Sequence, residues 1–183
     1  MASIITATVA SGLTQSADNS GVLQLASGTG NLVTVPSVTG TAMVSGNMPA
    51  FRAEPSTNQS VTSGTYTKVD FATEIFDTNS NFASSRFTPT VAGYYFISSA
   101  VYAVFASSGT YVWALIYKNG VRNIIGNLNV PVTTLDGVGT VNGLVYMNGT
   151  TDYVEIYCLL IGTTPSVSTV VNTQFSGYLV RSA

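Results

Sequence analysis

Through the carboxyl two-thirds of the chain, β-branched and aromatic residues alternate with small polar ones in short runs punctuated by Gly, Asn, Ser and Pro. That period of two is the pattern of strands with one face buried, and the three-to-four spacing of an amphipathic helix is nearly absent. The alternation predicts strands near Phe51–Ala53, Thr67–Phe76, Arg86–Pro89, Gly93–Phe105, Tyr111–Lys118, Arg122–Leu128, Val138–Met147, Tyr153–Ile161 and Thr173–Val180. Antiparallel strands in this number and at this spacing predict an all-β sandwich with a jelly-roll course.

Two turns fit that register. Lys118-Asn119-Gly120-Val121 places Asn-Gly, which accepts positive φ angles, where a tight hairpin needs it. Met147-Asn148-Gly149-Thr150 is expected to repeat the device between the next pair of long strands. The first 48 residues differ in character, with Asp18 as their single charge and short apolar residues among Ser, Thr and Gly. Ser20–Ala26 and Asn31–Pro36 read as a hairpin joined by Ser27–Gly30, too few strands to stand alone. Pro36–Pro49 has the composition of an extended linker, with an added edge strand as the other reading. The expected organisation is an attachment arm over 1–48 and a head over 49–183.

Several short phrases give the head a resemblance. Pro49-Ala50-Phe51-Arg52-Ala53, Val69-Asp70-Phe71, Arg86-Phe87-Thr88-Pro89, Ala92-Gly93-Tyr94-Tyr95-Phe96, Lys118-Asn119-Gly120 and Phe175-Ser176-Gly177-Tyr178 follow one another in the order and spacing of complement C1q and tumour necrosis factor-like head domains. The resemblance implies a jelly-roll head and a homotrimer, with aromatic and aliphatic residues of one sheet meeting around a threefold axis. Two features depart from the C1q pattern: the insertion in Asn148-Gly149-Thr150-Thr151-Asp152 and the lack of a Gly-X-Y tract before the head. The arm phrase Gly12-Leu13-Thr14-Gln15-Ser16-Ala17-Asp18-Asn19-Ser20-Gly21-Val22-Leu23-Gln24-Leu25 is similar to amino-terminal segments of tailed-bacteriophage virion proteins.

Composition narrows the function further. Charged residues are 8% of the chain and the mean hydropathy is +0.34, so a large share of the surface is expected to lie against other protein. With a net charge of −2 and six scattered cations (Arg52, Lys68, Arg86, Lys118, Arg122, Arg181), no nucleic-acid footprint exists. No apolar run approaches the roughly 20 residues of a spanning helix. The Met1–Thr6 start carries no basic region or signal-like apolar stretch, and the lone Cys158 sits in an apolar strand pattern, so a reducing cytoplasm is the expected place of assembly.

Chemistry is conspicuous by what is missing. The chain has no His, which removes Ser-His-Asp and Cys-His catalysis and makes a zinc site improbable in composition. No phosphate-cradling Gly-rich loop occurs. Asp70, Glu74 and Asp77, and separately Asp152 and Glu155, could meet a sugar or calcium, but they read as acids on solvent-facing sides of strands. Some C1q-like trimers hold calcium, yet no dense Asp cluster is seen, so no catalytic, cofactor-binding or metal residues are assigned. Phe71, Phe87, Tyr95, Phe105, Trp113, Phe175 and Tyr178 are expected in the core, a glycan-stacking platform being the other use of Trp113 and the tyrosines. The sequons at Asn58 and Asn148 are the chance product of an Asn-, Ser- and Thr-rich chain.

These readings lead to a non-enzymatic homotrimer on a phage particle. The first expectation is a capsid decoration protein whose arm holds the major capsid protein; the alternative is a short tail fibre or head fibre whose loops bind a host surface glycan. Nucleic acid and membrane are not expected partners.

Overall fold

Period-two alternation organises the long strands of the structure, a computed structural model that describes residues 23–26, 32–35, 48–126, 135–169 and 173–183. The chain divides into two units, Met1–Thr41 and Ala42–Ala183. In the first, β1 (Leu23–Ala26) pairs antiparallel with β2 (Leu32–Val35), Leu23 opposite Val35 and Ala26 opposite Leu32. This is the expected hairpin; its Ser27–Gly30 turn and the Gly12–Val22 phrase lie outside the described residues, as do 36–47 of the linker.

The second unit contains β3 (Ala50–Glu54), β4 (Gln59–Ser60), β5 (Tyr66–Lys68), β6 (Thr73–Asp77), β7 (Phe82–Ala83), β8 (Arg86–Phe87) and β9 (Gly93–Val104). It continues with β10 (Gly109–Lys118), β11 (Val121–Ile125), β12 (Asp136–Met147), β13 (Val154–Gly162), β14 (Ser166–Val167) and β15 (Gln174–Ser182). They form two antiparallel sheets, a jelly-roll sandwich. In the larger sheet β12 runs along one side of β9, while β15, β3 and β6 follow in order on the other and β14 with β4 extends that side. In the smaller, the order is β11-β10-β13-β8-β7, with β5 also on β13.

Phe rings from both sheets fill the space between. Phe51 of the larger sheet stacks on Phe82 and Phe87 of the smaller with centroids 5.0 and 4.2 Å apart, and Phe175 meets Phe51 edge-on at 4.8 Å. Offset stacks and edge contacts are the arrangements that ring quadrupoles favour. Around them Ile97, Val112, Ile116, Ile156 and Leu160 are fully buried. Each such side chain contributes about 1.5–3 kcal/mol by leaving water.

The Asn119-Gly120 hairpin is observed, with φ of 52° and 76°, joining β10 to β11. Other expectations change. Thr67–Phe76 is not one strand: β5 pairs with β13 of the smaller sheet and β6 with β3 of the larger, and the chain crosses the core between them, burying Val69 and Phe71. Asn148-Gly149 is not a tight hairpin either, because β12 and β13 belong to opposite sheets. Instead the Asn148 Oδ1 accepts the backbone N–H groups of Thr150, Thr151 and Asp152 and shapes a crossing loop. Only Arg122–Ile125 of the predicted Arg122–Leu128 segment is strand; residues 127–134 fall outside the described set.

Candidate interaction surface

Alternation along β9 turns Tyr95, Ile97, Ser99 and Val101 inward and leaves Tyr94, Phe96, Ser98 and Ala100 on the outer face of the larger sheet. The register of the neighbouring strands sorts that outer face into rows. One row holds Tyr146, Tyr94 and Arg181; the next holds Leu144, Phe96, Tyr178 and Ala50. Tyr94 and Tyr146 pair at 5.4 Å and Phe96 and Tyr178 at 5.7 Å. Leu144 is 60% exposed and Tyr178 52%. A bulge between Leu179 and Arg181 leaves Val180 outside the ladder and half exposed beside them.

Beyond this apolar end the face becomes polar. The next row is Asn142, Ser98, Ser176 and Arg52, whose Nη2 lies 2.6 Å from Glu54 Oε1 while its buried Nε has no partner among the described residues. Farther along, Tyr102 donates its hydroxyl proton to Asp136, a bond that raises the phenol pKa above its ordinary value. An apolar patch continuous with a polar, hydrogen-bonding region is the composition of a protein interface.

Strand parity explains two departures from the expected core. Phe175 and Tyr178 are three residues apart, so a regular strand cannot point both inward; Phe175 is buried and Tyr178 joins the exposed patch. Trp113 alternates with the core residues Val112 and Ala114 and is only partly buried, its Nε1 enclosed without a hydrogen-bond partner among the described residues. Phe71, Phe87, Tyr95, Phe105 and Phe175 are in the core. The Tyr95 hydroxyl donates to the Val91 carbonyl at 2.8 Å, and burial pushes its pKa up to about 12.

The acids separate into three kinds. Asp70 and Glu74 are exposed, Asp70 Oδ1 accepting the Ser85 hydroxyl at 2.8 Å. Asp77 closes a turn by accepting the N–H groups of Asn79 and Phe82. Asp152 and Glu155 correct the expected exposure, for both are buried. Asp152 receives Lys118 Nζ at 2.8 Å, Asn119 Nδ2 at 2.7 Å and the Asn148 N–H at 3.0 Å. The bonds from Lys118 and then Asn119 hold its carboxyl below the ordinary carboxylate range.

Glu155 lies on the side of β13 away from the core. Its Oε1 takes Lys68 Nζ at 2.7 Å and both Nε and Nη2 of Arg86 at 2.9 Å, while the guanidinium sits 3.8 Å over the Tyr153 ring. The two cations come from β5 and β8, far from Glu155 in sequence, which is why local reading gave no sign of its burial. Among the described residues no group of three or more Asp, Glu, Cys or His is placed to hold a metal ion. Among the described residues no helix is long and apolar enough to cross a membrane.

No family model matches this chain, and no curated protein is significantly similar to it. Solved structures do match in fold. Murine APRIL superposes with a TM-score of 0.56 at 11% identity, covering 73% of this chain and 99% of its own. The globular domain of zebrafish complement 1qA gives 0.51 at 15%, covering 74% and 98%, and Eiger TNF from S. frugiperda gives 0.55 at 9%, covering 74% and 93%. The described head is thus a jelly roll of the tumour necrosis factor and C1q type.

Proposed function

We propose that this chain is a non-enzymatic, homotrimeric structural protein of a tailed-phage particle, a capsid decoration protein attached through residues 1–48 with the jelly-roll head projecting. The observation that carries self-association is the aromatic and aliphatic patch of Tyr94, Phe96, Leu144, Tyr146 and Tyr178 on one outer sheet face. Homotrimers are typical of domains of this fold, and the resemblance puts aromatic and aliphatic residues of one sheet at the threefold axis. A monomer would leave the patch in water, at a cost that grows with its apolar area. The phage setting rests on the Gly12–Leu25 phrase and its likeness to virion arms.

In this reading the arm supplies attachment. Three arms on one trimer raise the effective concentration of each at its neighbouring subunit, so weak single contacts combine into firm binding. Removing residues 1–48 should leave the head trimeric and release it from particles. Retention of the truncated head on particles at the level of the full chain would assign attachment to the head instead. Copy number separates decoration from the alternative, a short tail or head fibre: imaging of purified particles should find this chain across the shell, not confined to a tail tip.

A further inference from the structure

We infer that the cleft beside Lys68 and Arg86 is a binding site for the carboxylate of an acidic saccharide. The cleft has a volume of about 470 Å3 and is open to solvent, within the roughly 300–1,000 Å3 range of small-ligand sites. Lys68 and Arg86, the two cations of the ion cluster around Glu155, are among its lining residues. Two cations share a single carboxylate oxygen, which leaves one net positive charge. Glu155 holds both in place: Lys68 also donates to the Ser84 carbonyl at 2.9 Å, and Arg86 is braced on Tyr153. Arg86 turns Nε and Nη2 to Glu155, and the terminal edge of a guanidinium held that way carries the two parallel donors that match a planar carboxylate.

The other walls select what carries that carboxylate. Ser80, Thr88, Thr90 and Asn81 line them, and Ala83 is the single apolar side chain among the described lining residues. The hydroxyls of Ser80, Thr88 and Thr90 offer a polyhydroxylated ring hydrogen-bond partners beside the cations. Charge next door limits the ligand further. Across the Ala83-Ser84 turn a second cleft of about 300 Å3 is lined by Asp70 and Glu74, which repel a second negative group. One charge on a sugar ring fits, and a polyanion does not. The turn between the clefts holds Ser84 and Ser85 at φ of 52° and 57°, and Ser80, in the turn before β7, has φ of 53°. Left-handed backbone at residues other than glycine is costly, and such strain clusters at ligand sites.

The site does not depend on where the protein sits in a particle, and its test can be read from the full-length protein alone. Titration with galacturonate, followed by calorimetry, should show saturable binding that weakens with added salt. The neutral methyl ester of galacturonate should bind at least about tenfold more weakly, and so should acetate, which keeps the charge and lacks the ring. Arg86→Gln should weaken galacturonate binding by a similar factor while the thermal melt shows the head still folded. Equal binding of the ester would show that charge is not read, and equal binding of acetate would show an adventitious anion site only; either result, or no saturation, overturns the proposal. Should Arg86→Gln fail to fold, the three ligands on the unmodified protein still decide.

Discussion

The rings of Phe51 and Phe87 lie 4.2 Å apart and within 20° of parallel, although one belongs to the larger sheet and the other to the smaller. They pin the two layers of the sandwich together at the centre of the aromatic cluster. Phe51→Ala should therefore destabilise the head by about 3–5 kcal/mol, through lost transfer energy and the cavity left behind. Urea denaturation measures this directly. Val121→Ala, at a 68% exposed position, should change stability by less than about 0.5 kcal/mol.

The exposed patch gives an assembly prediction. Leu144→Glu combined with Tyr178→Glu places a carboxylate on each of the two strands that flank β9 in the apolar row, where a partner copy would have to bury it. Light scattering should then report the 19.1 kDa chain in place of three times that mass, with the circular dichroism of the fold unchanged. A double variant that stays trimeric would move the interface elsewhere.

Asp152 sets an acid limit. Its carboxyl titrates below its ordinary value of 3.8 in the folded state, so the unfolded chain takes up the proton first as pH falls. The stabilisation is present above 3.8 and is lost as pH drops through the lower folded value. Thermal melts should show a decline in this window that Asp152→Asn removes.

Alkali acts through two other groups. Burial pushes the Cys158 thiol from 9.0, and the Tyr95 phenol from 10.0, to about 12. Both are neutral in the folded head, and their contribution is complete below the unfolded values and lost as pH rises from 9 towards 12. Cys158 should accordingly resist a thiol reagent at pH 8 in native protein and react fully in denaturant.

Gly177 sits at the centre of the Phe175–Tyr178 phrase for a steric reason. A Cβ there would stand 2.8 Å from Ile97 Cδ1 and 2.9 Å from Phe51 Cε1, inside the closest approach of packed carbons. Gly177→Ala should cost about 1–3 kcal/mol by overpacking, visible as a lowered urea midpoint.

The long strands were legible because period two survives in local sequence. Gly93–Val104 and Asp136–Met147 alternate, Val154–Gly162 stands out as a short apolar run, and the Asn119-Gly120 turn carries its own chemistry. What could not be read depends on partners distant in the chain. The break at Val69–Ala72 exists because Tyr66–Lys68 and Thr73–Asp77 find strands in opposite sheets. Glu155 is buried by Lys68 and Arg86, 87 and 69 residues away, so its local pattern is that of any surface acid. The aromatic patch was half legible: parity separates Phe175 from Tyr178, but only the register aligns Tyr178 with Phe96 and Leu144.

The pairing of β3 with β15 sets a schedule for synthesis. Phe51 lies opposite Gly177, and Phe175 opposite Ala53, so the ladder joining them spans more than a hundred residues of intervening chain. Closing so large a loop is slow, and the edge of β3 waits for a partner that is made late. A ribosome that has reached residue 170 has made Phe51 but not the strand it pairs with. Folding of the head is therefore a step taken after translation of β15, and a nascent chain stalled before Gln174 is the species most exposed to aggregation.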